Sequence, residues 1–169
     1  MLSDCSWSAG PAVPTLCPGQ AHVWCIPLNV PPEEIRELSG QLSSDEQNRA
    51  GRYHFSRDHD RFVVRRARLR DILSRYLGDV PSKIRYAYGS HGKPELDESR
   101  HGGTIRFNLS TSHDVALVAI TEGRNLGVDV EFARPIDDAE GMASRYFTKQ
   151  ENIELQQLGG NERLIGFYY

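Results

Sequence analysis

Two carboxylates, Asp129 and Glu131, lie two residues apart within the largely apolar run 126–131. Alternate side chains of a β-strand share one face, so both acids are predicted to point the same way. Adjacent carboxylates repel each other unless a cation lies between them, and Mg²⁺ prefers such oxygen ligands while keeping positions for water and phosphate. The pair therefore predicts a magnesium-dependent site for a phosphate ester. The alternative is a solvated acidic face on an edge strand.

A polar segment, 107–114, lies upstream of these acids and ahead of the apolar strand predicted at 115–120. Its side chains and nest-like backbone would offer hydrogen-bond donors to an anion. The donors are Asn108, Ser110 and Thr111. Residues 122–125 are typical of a turn, which predicts a hairpin between the strand at 115–120 and the strand carrying Asp129. We therefore expect the anion donors and the acidic pair to lie on neighbouring elements.

Four short motifs follow one another in a recognisable order. They are Gly-Lys-Pro at 92–94, Phe-Asn-Leu-Ser-x-Ser at 107–112, Gly-Val-Asp-Val-Glu at 127–131 and Phe-Thr-Lys-Gln-Glu at 147–151. Together they resemble the surfactin-type 4'-phosphopantetheinyl transferases, which move phosphopantetheine from coenzyme A to a serine of a carrier protein. The resemblance runs from about His22 to the last residue. The ordered combination is far more specific than any single motif.

The resemblance implies a role for each candidate residue. Asp129 and Glu131 would be the catalytic carboxylates and would hold Mg²⁺ against the pyrophosphate of coenzyme A. The residues that would contact coenzyme A are Arg49, Arg66, Tyr88, Lys93, Asn108, Ser110 and Thr111. A serine hydroxyl of an acyl or peptidyl carrier protein would attack the phosphate in line. Such carriers are acidic helical domains, which a basic helix complements.

One departure from the family pattern lies in the polar segment. The family has Ser-His-Ser where this chain has Ser110, Thr111 and Ser112. Threonine can donate a hydrogen bond to a phosphate, but it cannot bring the positive charge of a protonated histidine. His113, shifted by two residues, is interpreted either as a turn residue at the surface or as a ligand contact.

A second departure concerns the end of the chain. The family continues into a Trp-x-x-Lys-Glu motif that supplies a third carboxylate, whereas this sequence stops where that motif would begin. The resemblance therefore implies a fragment without an assured general base. We expect it to transfer no phosphopantetheine and to be poorly soluble or partly unfolded. Apolar side chains near its end would lack a packing partner, among them Phe167, Tyr168 and Tyr169.

Two other classes of protein compete with the transferase. A coenzyme A-binding remnant without catalysis fits Thr111 and the missing motif. A magnesium-dependent nuclease also uses paired acids, but nucleases of the Glu-x-Lys type would have lysine at Ala133. The sequence moreover lacks the interleaved basic and aromatic residues typical of nucleic-acid binding, so no nucleic-acid partner is expected.

Composition sets the remaining expectations. The chain has 169 residues, a net charge of −3 and 38% hydrophobic residues, enough for one ordinary domain or two small lobes. Its three cysteines, Cys5, Cys17 and Cys25, show no zinc or disulfide spacing. No apolar run approaches a membrane span and no signal peptide is recognisable, so we expect a cytoplasmic protein, monomeric and without membrane contact. Residues 1–20 are expected to form a disordered leader.

The predicted elements indicate an α+β fold with an antiparallel sheet. Strands are predicted at 22–28, 83–88, 105–109 and in two parts of 115–132. Helices are predicted at 32–42, at 56–77 and from about Asp138. Two more helices are predicted to begin with capping boxes, one at Ser43 or Ser44 with the acids Asp45 and Glu46, and one at Thr148 with Glu151. Glycine and proline after Leu77 predict the end of the longest helix. The resemblance implies two similar α+β lobes with the site between them. These would be an N-terminal lobe at 21–104 and an incomplete C-terminal lobe at 105–169.

The longest predicted helix is rich in arginine. Four of its arginines gather on one side and predict a solvated basic face or, alternatively, a carrier-protein docking face; they are Arg61, Arg65, Arg68 and Arg75. Arg66 falls in the apolar sector, with Arg70 at its margin. A guanidinium that faces a core must be paired or must meet an anionic ligand. A buried salt bridge and a ligand contact thus remain alternatives for Arg66.

Overall fold

The structure, a computed structural model, describes residues 7–89 and 92–168. It divides into two compact units, one of residues 7–130 and one of residues 131–168. The expected division into lobes at 104/105 and the disordered leader stay predictions. Cys5 and Tyr169 lie outside the described residues.

The first unit contains most of the secondary structure. Its helices are α1 (Pro32–Ser39), α2 (Ser44–Ala50), α3 (Ser56–Leu77) and α4 (Glu98–His101), with a short 3₁₀ helix at Pro81–Lys83. Its strands are β1 (Ala21–Pro27), β2 (Tyr86–Tyr88), β3 (Pro94–Leu96), β4 (Ile105–Ser112) and β5 (Val115–Glu122). The predicted α+β class with antiparallel sheets is confirmed.

The three-stranded sheet has the order β1-β5-β4, and both strand pairs are antiparallel. Apolar side chains of α3 and the sheet form one core, which includes Phe62, Leu69 and Leu73 from the helix and Val118 and Ile120 from β5. Five of the eight residues of the central strand β5 are buried, and α3 contributes ten buried residues to the same unit. Strands β2 and β3 form a separate two-stranded sheet.

Local sequence signals set the helix boundaries. Helix α3 covers the predicted range and ends at Gly78, whose φ of 63° lies in the left-handed region that glycine adopts without a Cβ penalty. Helix α2 begins with a capping box, in which the Ser43 hydroxyl accepts from the Glu46 amide and the Glu46 carboxylate accepts from the Ser43 amide. Both predictions are confirmed.

The predicted hairpin between β5 and a strand carrying Asp129 is wrong. Residues 125–136 form neither helix nor strand. Strand β5 pairs instead with β4 on one side and β1 on the other, so both of its edges are taken. The alternation of apolar and acidic residues in 126–131 is typical of a strand. Both edges of β5 are already paired, however, so this segment cannot form a hairpin with it.

The polar segment at 107–114 lies mostly in a strand, which begins at the predicted residue and runs beyond the predicted end at 109. Strand β4 extends through Ser112 and turns into β5 through two residues, His113 and Asp114. His113 has a φ of 55°, and 53% of its side chain is exposed, which supports the interpretation as a surface turn residue. A nest-like anion site is therefore absent from this part of the structure, because its backbone is engaged in the β4–β5 ladder.

The second unit, described for residues 131–168, contains three helices: α5 (Ala139–Tyr146), α6 (Lys149–Gln157) and α7 (Gly160–Tyr168). Thr148 and Glu151 form the predicted capping box of α6. Phe167 was expected to lack a packing partner, yet its ring lies 5.2 Å from that of Phe147. Within the described ranges, no helix has the length and apolar character needed to cross a membrane.

Candidate functional site

A cavity of about 630 Å³ opens beside helix α2 in the first unit. It is lined by Asp45, Glu46, Asn48, Arg49, Arg52, Tyr53 and Tyr88. Helix α2 supplies the first four of these residues, the segment leading to α3 supplies the next two, and the end of β2 supplies Tyr88. The structure thus brings together Arg49 and Tyr88, two residues predicted to contact coenzyme A.

Glu46 joins the cavity to a buried ion-pair network. It is 3% exposed, and its Oε2 accepts from Arg70 Nε at 2.7 Å. Its Oε1 lies 3.5 Å from Arg66 Nε. Arg70 also donates to the backbone carbonyls of Pro81 and Ile84, at 2.9 Å each. One carboxylate therefore faces two buried guanidinium groups. The two positive charges can stay buried only while this carboxylate is present to pair with them.

Arg66 connects this network to the rim of the cavity. Its Nη2 donates to the Tyr88 hydroxyl at 2.7 Å, and its guanidinium lies 5.1 Å from the centre of the Tyr86 ring. Tyr88 itself is 51% exposed. The ion pair with Glu46 supports the salt-bridge alternative for Arg66, and a ligand contact of this residue stays a prediction. Because Arg66 also holds the exposed tyrosine, it fixes one wall of the cavity.

Positive charge exceeds negative charge around the cavity. Arg49 and Arg52 line it and Arg66 and Arg70 lie behind it, whereas the carboxylates there are Asp45 and Glu46. Four guanidinium groups thus face two carboxylates. Burial lowers the pKa of the neighbouring Arg65 from its ordinary value and raises the pKa of Tyr86 well above its usual range. The excess of guanidinium groups over carboxylates around the cavity favours an anionic ligand.

The predicted solvated basic face of α3 is wrong, because its four arginines are partly buried and bonded. Arg61 pairs with Asp114 of the β4–β5 turn, and Arg68 pairs with Glu34 of α1. Arg75 bonds to Asp71 at 2.7 Å, and Arg65 donates to Thr111 at 3.2 Å. Three of these arginines fasten α3 to its neighbours, and Arg75 is paired within the helix. This pairing removes much of the charge argument for carrier docking on this face.

A second cluster of predicted residues lies along β4. The amide of Val128 donates to Asn108 Oδ1 at 3.1 Å, and the amide of Val130 donates to Ser110 Oγ at 3.3 Å. The Ser110 hydroxyl donates to Asp129 Oδ1 at 2.6 Å. The segment that carries Asp129 is therefore fixed beside β4 by side chains rather than by a backbone ladder.

The remaining predicted residues lie elsewhere. Thr111 follows Ser110 on β4 and faces α3 through its bond with Arg65, so the two hydroxyls are on opposite faces of the strand. Lys93 is exposed at the turn between β2 and β3, and it does not line the large cavity. Glu131 belongs to the second unit. The roles of all these residues stay predictions.

Several residues of the cavity escaped sequence analysis. Glu46 was recognised only as the third residue of a capping box, although it also neutralises Arg66 and Arg70. A guanidinium predicted to face the core requires a buried carboxylate as its partner. That requirement is the signal by which Glu46 could have been found. Arg52 and Tyr53 line the cavity because α2 ends just before them, a feature that is not encoded in a motif.

The described parts of both units contain no group of three or more His, Cys, Asp or Glu residues that could hold a metal ion. A divalent cation held by Asp129 and Glu131 alone would complete its coordination with water and a bound phosphate. That coordination pattern is the one Mg²⁺ commonly adopts in proteins. Asp129 is exposed, which leaves room for such ligands.

Comparison with known proteins identifies the family. Residues 30–123 match the family model described as 4'-phosphopantetheinyl transferase, N-terminal. The 4'-phosphopantetheinyl transferase HetI of Nostoc sp. is 37% identical over 163 residues, which are 96% of this chain and 69% of that protein. The 4'-phosphopantetheinyl transferase AcpT of Salmonella typhimurium is 32% identical over 99 residues, 59% of this chain and 48% of that protein.

The fold and the cavity thus define an α+β protein with an arginine-lined cavity. The matched regions show that the chain belongs to the 4'-phosphopantetheinyl transferase family. It spans about two thirds of the length of HetI and about half that of AcpT.

Proposed function

We propose that this protein transfers 4'-phosphopantetheine from coenzyme A to a serine of an acyl or peptidyl carrier protein, as a surfactin-type member of its family. The observation that carries the proposal is the arginine-lined cavity beside α2. Family membership supplies the reaction class, and the cavity supplies a place for its anionic substrate. A cytoplasmic location, where coenzyme A and carrier proteins meet, goes with this proposal.

The cavity suits the nucleotide part of coenzyme A. Phosphate groups need positive charge and hydrogen-bond donors, which Arg49 and Arg52 provide at the opening. A purine base needs an aromatic wall, which the exposed Tyr88 ring provides. Arg66 and Glu46 hold that ring from behind. We propose Arg49 and Tyr88 as direct contacts and Arg66 as a support, with Lys93 and Thr111 as further phosphate donors.

Asp129 and Glu131 are proposed to hold Mg²⁺ at the pyrophosphate. Their carboxylate oxygens fit the preference of this ion, and two protein ligands leave positions for phosphate and water. When bound there, Mg²⁺ neutralises charge on the phosphate under attack and on the leaving group. Asp129 is already aligned by its bond from Ser110.

The reaction forms one phosphorus–oxygen bond and breaks another. The serine oxygen of the carrier bonds to the phosphorus that bears the pantetheine arm, and the 3',5'-bisphosphate nucleotide leaves with the bridging oxygen. The serine proton passes to a base. The chain's own residues would contribute by gripping the nucleotide and by fixing Asp129, so that attacking and leaving oxygens lie in line.

A matched pair of arginine variants tests the proposal. Arg49→Ala removes a guanidinium from the cavity, whereas Arg57→Ala removes one whose side chain is 70% exposed at the start of α3 and which does not line the cavity. We expect Arg49→Ala to weaken coenzyme A binding by about tenfold, which corresponds to one charge-assisted hydrogen bond. Arg57→Ala should bind as the wild type does.

Isothermal titration calorimetry with coenzyme A measures binding. Mass spectrometry of an apo carrier protein, incubated with coenzyme A and Mg²⁺, measures transfer. Failure of the wild type to bind coenzyme A would contradict the proposal. Binding without transfer by the full product of the gene would instead support a coenzyme A-binding protein that lacks catalysis.

A further inference from the structure

We infer that Ser110 and Asn108 are positioning residues for Asp129, and that they are not ligands of the coenzyme A phosphates. The inference rests on the proposed function, since it concerns the acidic pair of that site. It assigns to two motif residues a task that their resemblance to a phosphate-binding motif does not indicate. Three hydrogen bonds carry it.

Two of these bonds fix the backbone on either side of Asp129. Asn108 Oδ1 accepts from the Val128 amide at 3.1 Å, and Ser110 Oγ accepts from the Val130 amide at 3.3 Å. Asn108 and Ser110 are alternate residues of β4, so they share one face of the strand and are spaced to meet alternate amides of an extended segment. Their side chains replace the backbone ladder that residues 125–130 lack.

The third bond orients the carboxylate itself. The Ser110 hydroxyl donates to Asp129 Oδ1 at 2.6 Å, a length typical of a strong bond to an ionised acceptor. A serine hydroxyl has a single proton, so Ser110 cannot donate to a phosphate while this bond exists. A carboxylate has two oxygens, and a bond at Oδ1 is compatible with metal binding through Oδ2.

The arrangement resembles the outer hydrogen bonds that orient metal ligands in other proteins, where loss of such a bond weakens metal binding and activity rather than substrate binding. A positioning role and a phosphate-ligand role therefore predict different kinetic changes. Removal of the Ser110 hydroxyl should alter the response to Mg²⁺ if it orients Asp129. It should alter the affinity for coenzyme A if it binds phosphate.

The test compares Ser110→Ala, Ser110→Thr and Ser99→Ala in the full product of the gene. Ser99 is a matched control, because its hydroxyl also donates to a carboxylate, Asp97 Oδ1, at 2.6 Å, but on α4 and away from the cavity. Ser110→Thr keeps the hydroxyl and is well tolerated in a strand. Melting curves of all three variants show whether they remain folded.

For Ser110→Ala we expect kcat to fall and the half-saturating Mg²⁺ concentration to rise, each by roughly tenfold. The Kd for coenzyme A, measured by calorimetry in EDTA, should change by less than about threefold. Ser110→Thr should restore much of the activity, and Ser99→Ala should match the wild type. NMR hydrogen exchange should also show faster exchange of the Val130 amide in Ser110→Ala.

A tenfold rise in the coenzyme A Kd of Ser110→Ala, with an unchanged Mg²⁺ response and an unchanged Val130 amide, would overturn the inference in favour of a phosphate ligand. Failure of the wild type to bind coenzyme A would overturn the proposed function first, and the inference with it. That result is seen before any variant is compared, so the two failures are distinguishable.

Discussion

Beside the cavity, Glu46 is 3% exposed and pairs with two guanidinium groups in the interior, whereas Asp129 is exposed and is held by one hydroxyl. The cavity network lies between α2, α3 and β2, and its central bond from Arg70 to Glu46 is buried. The Asp129 segment depends on side-chain bonds at the protein surface. The first region is built for rigidity, whereas the second has fewer bonds and can adjust to the cation and substrate that we propose for it.

Removal of Glu46 should have the largest effect on stability. Glu46→Ala leaves Arg66 and Arg70 buried together without a carboxylate and removes the capping box of α2. We expect the free energy of unfolding to fall by about 3–5 kcal/mol. Urea denaturation measures it. The control is Glu34→Ala, whose partly exposed pair with Arg68 should contribute less than about 1 kcal/mol. Equal effects would contradict the role given to the buried network.

Arg66 and Arg65 are neighbours in sequence with different surroundings. Arg66→Ala removes a buried guanidinium but leaves Glu46 balanced by Arg70, so we expect a smaller loss than for Glu46→Ala, about 2 kcal/mol. Arg65→Ala removes a hydrogen bond to Thr111 and the contacts with Tyr53 and the Phe62 ring, but no ion pair with a buried carboxylate, and should cost about 1 kcal/mol. Thermal melts compare the two. If Arg66→Ala melts normally but binds coenzyme A weakly, Arg66 is a ligand contact and the supporting role is wrong.

Hydrogen exchange should separate the two regions without any mutation. The Val118 amide lies in the central strand β5, which is paired on both sides. The amides of Val128 and Val130 each meet one side-chain oxygen. We expect the opening free energy at these two amides to be lower than at Val118 by about 2 kcal/mol or more. NMR-detected exchange measures the difference, and similar protection would show that the Asp129 segment is as rigid as the sheet.

The smallest effect is expected for the hydroxyl of Tyr86. It is buried and has no hydrogen-bond partner among the described residues, so Tyr86→Phe should change stability by less than about 1 kcal/mol. Burial raises the pKa of Tyr86 in the folded state, whereas the unfolded phenol ionises from about pH 10. Stability that depends on the neutral phenol is therefore present below that pH and lost above it. A pH series of melts should show a weaker alkaline loss in Tyr86→Phe.

Local patterns were sufficient for much of this fold. The ends of α3 and the capping boxes of α2 and α6 follow from residues within a turn of each boundary, such as Gly78 and Ser43. The partners of charged groups were not predictable in this way. Arg61 and Arg68 looked solvated because their carboxylates, Asp114 and Glu34, come from distant parts of the chain.

In the candidate site, too, local sequence predicts some features, whereas contacts between distant parts of the chain are not predictable from it. Strand alternation in 126–131 describes the conformation that a segment prefers, but pairing depends on which edge of the sheet is free, and β5 has none. Family resemblance placed Arg49 and Tyr88 at one ligand, and the cavity lined by both agrees with that grouping. It gave no sign that Ser110 would donate to Asp129, because that bond depends on the path of the chain after β5.

The central claim is that Asp129 is the carboxylate on which magnesium-dependent transfer depends. Its most direct test is carrier-protein loading by Asp129→Ala in the full product of the gene, followed by mass spectrometry, with the exposed Asp137→Ala as the control. We expect Asp129→Ala to abolish loading, because it removes a charge that the transition state needs more than the ground state does. Glu131→Ala should retain more activity if water replaces it, and Asp137→Ala should load normally. Near wild-type loading by Asp129→Ala would contradict the assignment of the site.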